Sequence, residues 1–181
     1  MNTRNDAIEG IINFLKSDKK SLLLTGTHQY EKHKIVLQTI SRNIESSSTI
    51  LFRGNSVQNF GTFFENHTAD FKTGNGYKLG KHVMYLDTMN RTSWKKSKSN
   101  YDFGVIYPLD SVYKNSKRAE ILDDMFDRCN KVFLVSWTDN LSYDYTKISN
   151  YYDDHIVFDA LEERPDYHKR MLDSIQNQRG F

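Results

Sequence analysis

The chain has one cysteine, Cys129, among its 181 residues, so no internal disulfide can staple it. With only 2 prolines and 9 glycines, irregular loop-rich architectures are excluded, and regular elements joined by polar turns are expected. The net charge is +2, from 25 basic and 23 acidic residues. That balance does not mark a nucleic-acid binder, and any such role must rest on a local patch. No apolar run approaches the roughly 20 residues of a membrane span. Met1 to Asp6 is polar and lacks a signal-peptide apolar stretch, so a cytoplasmic setting without a membrane partner is expected. In that setting the sequons at Asn66 and Asn90 are chance matches.

Hydrophobic residues make up 38% of the chain and charged residues 27%, the balance of a globular protein. The length suits one domain, residues 1–181, with a substantial core. Aromatics reach 13%, including 11 Tyr and 11 Phe, and many must pack inside or at an interface.

Apolar residues at helical spacing (Ile8, Ile11, Ile12, Leu15) predict an opening helix capped by Asn5 or Asp6. Ser21 to Thr25 reads as a buried strand, Lys34 to Ile44 as a helix and Thr49 to Arg53 as a second strand. A helix over 57–65, a glycine-rich loop over 72–80 and a strand over 82–87 follow. A basic connector, Lys95 to Asn100, leads to a strand over 103–107. The remaining elements are a helix over 119–130, a strand over 132–137, a helix over 143–152 and a short strand over 156–158. Pro165 opens a closing helix. Strands alternate with helices, which predicts a three-layer α/β fold: a mainly parallel sheet with helices on both faces.

The stretch Leu22-Leu23-Leu24-Thr25-Gly26-Thr27-His28-Gln29-Tyr30-Glu31-Lys32-His33 carries the sharpest signal. It has the strand–loop–helix layout of the phosphate-binding pattern G-x-x-x-x-G-K-[ST]. Gly26 and Lys32 are in register. Glu31 stands where the second glycine belongs, and His33 where the magnesium-binding hydroxyl belongs. A carboxylate there opposes a polyphosphate, and an imidazole is a poor ligand for a cation that prefers hard oxygen donors. A plain strand–turn–helix junction with a chance lysine is the alternative reading.

The element order and this loop resemble the core of a P-loop NTPase of the AAA+ or RecA-like kind, over about Asn5 to Ala160. The resemblance implies a nucleotide site at Gly26, Glu31, Lys32 and His33. It also implies an acid pair at the end of the strand Tyr101-Asp102-Phe103-Gly104-Val105-Ile106, where Tyr107-Pro108 stands instead. Asp110 and Asp87 are the candidate replacements. For the γ-phosphate sensor at the end of a later strand, Thr138 and Asn140 are the best-placed candidates.

Trp94-Lys95-Lys96-Ser97-Lys98 combines a large aromatic with three cations. It reads either as a nucleic-acid loop, in which Trp94 stacks on a base, or as a solvated connector. His28 and His33 are poorly spaced for a shared metal, and no metal site is expected. Asp123, Asp124 and Asp127 read as a solvated helix face. Together these features predict a non-catalytic, ATPase-like accessory or scaffold protein in a nucleic-acid or mobile-element-related complex, phage included. It would need no cofactor, and its partner would be a protein: an active ATPase or another copy of itself. One alternative is a divergent ATPase binding ATP and Mg through Lys32 with Asp87 or Asp110. A second is a DNA-binding module using Trp94, Lys95, Lys96 and Lys98.

Overall fold

The computed structural model describes residues 1–137 and 144–178. Helix α1 (Arg4–Lys16) starts from Thr3, whose hydroxyl accepts the Asp6 amide while the Asp6 carboxylate accepts the Thr3 amide. Asp6 is therefore the third helical residue of a capping box and not the cap itself. Strand β1 (Ser21–Thr25) is buried at every position, and helix α2 (Lys32–Asn43) follows the Gly26 loop. Strand β2 (Thr49–Gly54) leads into a 3₁₀ turn, Val57–Asn59, and the single-turn helix α3 (Phe60–Phe63).

The glycine-rich stretch expected to be a loop contains β3 (Gly76–Leu79), which pairs antiparallel with β4 (His82–Thr88). The sequence hides this strand because its positions alternate between exposed and half-buried, with little apolar content. Next come α4 (Arg91–Trp94), β5 (Tyr101–Ile106), α5 (Leu109–Tyr113), α6 (Arg118–Arg128) and β6 (Cys129–Val135). A 3₁₀ segment (Tyr145–Tyr151), β7 (Asp154–Val157) and α7 (Pro165–Gln178) complete the described chain.

The strands form one seven-stranded sheet in the order β3-β4-β2-β5-β6-β1-β7. All neighbours are parallel except β3 and β4. Side-chain alternation divides the core in two. Leu22, Leu24, Ile50, Phe52, Phe133 and Val135 pack with α1, α2 and α3, whereas Leu23, Leu51, Ile106 and Leu134 pack with α5, α6 and the 3₁₀ segment. This is the three-layer α/β architecture expected from the alternating pattern. Among the described residues no helix is long and apolar enough to cross a membrane.

The connection leaving β1 crosses β6 and β5 to reach β2, while the one leaving β6 passes β1 to reach β7. The two paths diverge from adjacent strands, and a crevice opens over their carboxyl ends.

Candidate functional site

Gly26 ends β1 with a φ of +125°, and a Cβ built on it would lie 2.0 Å from the carbonyl oxygen of Phe158. No side chain fits there, because the backbone following β7 crosses directly over the loop. Asp159 Oδ1 accepts the Thr27 amide at 3.0 Å, and the Phe158 carbonyl accepts that of His28 at 3.4 Å. The amides of Gln29 and Glu31 donate to Thr27 O and His28 O within the loop itself. The Thr27 hydroxyl accepts from Ala160 N and lies 2.7 Å from His168 Nδ1, while His28 Nε2 lies 2.8 Å from Glu163 Oε2. Tyr167 and Tyr107 donate their hydroxyls to the Gln29 side chain and carbonyl. The loop is thus fastened from one side by residues 158–168.

Lys32, the first residue of α2, has 0% exposure. Its ammonium curls back over the loop and donates to Gly26 O at 2.6 Å, His28 O at 3.3 Å and Trp137 O at 3.2 Å. All three are peptide carbonyls, so the ammonium is directed into the loop and the chain just after β6.

Glu31 turns the other way. Its carboxylate accepts from Arg4 on α1 at 3.1 Å and from Lys34 at 3.0 Å. Burial raises its proton affinity, but the two cations outweigh burial and hold it below the ordinary carboxylate range. Arg4 also grips Glu163, which it draws down to about 2. His28 stays below its usual value, because burial outweighs the attraction of Glu163.

His33 is a core residue. Its Nε2–H donates to Phe63 O at 2.6 Å, and its ring stacks on Tyr107 at 4.1 Å between Phe52 and Phe63. Burial pushes its pKa down to about 4, so the ring is neutral. The hydroxyl position of the loop pattern is therefore occupied by an imidazole sealed in an aromatic box.

The two candidate acids separate clearly. Asp87, on β4, is buried in a bidentate pair with Arg53 on β2, both bonds 2.8 Å, and accepts Ser97 Oγ at 2.9 Å. Arg53 also donates to Asp124 at 2.7 Å and lies 4.4 Å from the Trp94 ring centroid. The acidic α6 face read as solvated therefore contributes Asp124 to an internal ion cluster. Asp110 sits beside the Lys32 loop: it accepts the Trp137 amide at 2.6 Å and the Tyr145 hydroxyl at 3.0 Å. Lys32 and Asp110 thus hold opposite sides of the same residue, Trp137. Thr138 and Asn140 lie outside the described residues.

Trp94 corrects the expectation of an exposed stacking platform. It is 7% exposed, and its Nε1–H donates to Thr88 O. Lys95, Lys96 and Lys98 are exposed beside it, and Lys98 contacts the Tyr85 hydroxyl and ring.

The carboxyl-edge crevice encloses about 350 Å³ and is walled by the loops after β1, β2, β5 and β6. Sequence reasoning did not single out its residues Tyr30, Asn55, Asn59 and Trp137. The signal available was an aromatic placed directly after an apolar strand. Among the described residues no group of histidines, cysteines and acids is arranged to hold a metal ion.

No protein-family model and no curated protein sequence matches the chain. Its fold is similar to that of the large terminase of the thermophilic bacteriophage D6E. Two structures of that protein, one in complex with ADP, align with TM-scores of 0.57 and 0.56 at 10% identity, covering 94% of this chain and 49% of the terminase. This chain spans about half the length of those proteins. The Phi-28 gp11 DNA packaging motor aligns with a TM-score of 0.47 at 13% identity, over 93% of this chain and 67% of that one. The likeness to the terminase is one of α/β fold.

Proposed function

We propose that this chain is a non-catalytic, ATPase-like accessory or scaffold protein of a phage or mobile-element nucleic-acid complex, with its phosphate cradle closed by its own residues. One observation carries the reading: the Lys32 ammonium is fully buried and donates to Gly26 O, His28 O and Trp137 O. A lysine that serves a nucleotide directs those protons at phosphate oxygens. The loop amides of Thr27, His28, Gln29 and Glu31 support the same conclusion, since they donate to acceptors of the chain itself. A magnesium–nucleotide does not fit this lining, because His33 supplies no hard oxygen and its Nε2–H is engaged by Phe63. No catalytic step is therefore derived through it. The partner is a protein, an active ATPase or a second copy of this chain, acting on nucleic acid.

The test is calorimetric titration with ATP and ADP in the presence of Mg²⁺, together with phosphate release measured with and without DNA. The expected result is no turnover and no affinity that depends on Lys32. Turnover abolished by Lys32→Ala would overturn the reading in favour of a divergent ATPase. That enzyme would use Asp110, which shares Trp137 with Lys32, and not Asp87, which Arg53 holds elsewhere.

A further inference from the structure

We propose that the carboxyl-edge crevice is a nucleobase site: Trp137 stacks on the base, Tyr30 meets it edge to face, and Asn55 and Asn59 meet its polar edge. The inference deepens the nucleic-acid part of the proposed function and rests on it. Most large apolar side chains here are buried, but Tyr30 is 47% exposed and Trp137 is 40% exposed. Their rings lie 6.4 Å apart, edge to face, at the mouth of the 350 Å³ crevice. Two exposed rings meeting at a concave site are suited to a planar heteroaromatic ligand.

The polar groups point to a base and not to a phosphate. Asn59 Nδ2 donates to Asn55 Oδ1 at 2.9 Å. That bond leaves the Asn55 amino group as a donor and the Asn59 carbonyl oxygen as an acceptor at the crevice wall. A donor beside an acceptor complements the N7 and N6 edge of adenine. Deeper in the crevice lies the buried carboxylate of Asp110. Its charge disfavours a phosphate in the floor and leaves the sugar-phosphate outside, at the rim where Lys114 stands.

The site is separable from the Lys32 loop. Trp137 contacts Asp110 and Lys32 through its backbone amide and carbonyl, so replacing the ring leaves those bonds in place.

The experiment titrates the intact chain with short oligodeoxyadenylate, oligodeoxythymidylate and AMP, following tryptophan fluorescence and calorimetry. Oligodeoxyadenylate is expected to bind and quench Trp137. Trp137→Ala should weaken binding by about tenfold or more, consistent with the stacking contribution of one base, and Trp137→Phe should restore most of it. Asn55→Ala should erase the preference for adenine over thymine. Equal affinity for AMP, per site, would identify a free nucleotide as the source; binding of the oligomer alone would identify a strand. Absence of binding by every probe to a folded protein would overturn the proposal. So would affinity unmoved by Trp137→Ala, or moved instead by neutralising Lys95, Lys96 and Lys98. Dependence on Lys32 in these titrations would defeat the closed-cradle reading separately, since Trp137→Ala leaves the Lys32 contacts unchanged.

Discussion

Lys32 and Arg53 are both fully buried cations at the carboxyl side of the sheet, and they are accommodated in opposite ways. Arg53 faces α4 and α6, where Asp87 meets it through two parallel bonds, Asp124 adds a third and the Trp94 face covers the guanidinium. Lys32 faces the loop that precedes it, where three peptide carbonyls converge on its ammonium. The first arrangement matches charge with charge and fixes β2 against β4 in register. The second uses peptide dipoles to hold a loop closed. The difference teaches that a buried cation marks a site only when its partners are known. The sequence draws attention to Lys32, but Arg53 has the more rigid setting.

The largest expected effect falls on the Arg53 side. Asp87→Ala strands a guanidinium in the core, and removing one member of a buried pair costs about 3–5 kcal/mol. Urea unfolding should show a loss near the lower end, since Asp124 remains bonded to Arg53. A loss below about 1 kcal/mol would mean that the cluster is open to water.

Next comes His33, beneath the Lys32 loop. Burial holds its folded pKa at about 4, below the ordinary histidine value of 6.5, so the unfolded chain binds the extra proton first. Its contribution is complete above pH 6.5 and is lost as the pH falls toward 4. Over that window the stability should drop by up to about 3 kcal/mol. His33→Phe should flatten this slope in unfolding measured at successive pH values, whereas loss of the Glu163 pairing acts only at lower pH.

Lys32→Met sharpens the comparison directly. It removes the donor from three carbonyls, and a buried acceptor left unsatisfied costs about 1–3 kcal/mol. A melting-point decrease corresponding to about 2 kcal/mol is expected, with no change in nucleotide titrations. The smallest effect belongs to Glu31→Gln. Its partners Arg4 and Lys34 form part-exposed ion pairs, so a loss of about 0.5 kcal/mol is expected. A gain in nucleotide affinity on that substitution would show that the carboxylate, and not the lysine, closes the cradle.

Much of the architecture was legible because its causes are local. β1, β2 and β6 are covered on both faces and therefore appear as continuous apolar runs. Strand β3 and the five-residue α5 were not legible, since short elements at an edge or a corner carry too few side chains to set a period. At the candidate site, the register of Gly26 and Lys32 was readable but the destination of the ammonium was not. It is decided by Trp137 and by residues 158–168, which no local pattern ties to the loop. Trp94 misled because three lysines surround it, while the group that covers it, Arg53, lies on another strand. An arginine inside the apolar run of β2 was the overlooked clue: it demands an acid nearby, and Asp87 supplies it.

The fastening of the Gly26 loop by Phe158, Asp159, Ala160 and Glu163 has a consequence for the growing polypeptide. Those residues leave the ribosome long after β1 and α2, at about 5–20 residues per second. Until they arrive, the amides of Thr27 and His28 lack the acceptors that later hide them. Both sheet neighbours of β1, β6 and β7, emerge in the same late stretch, so the strand, its turn and the cover over that turn are completed together.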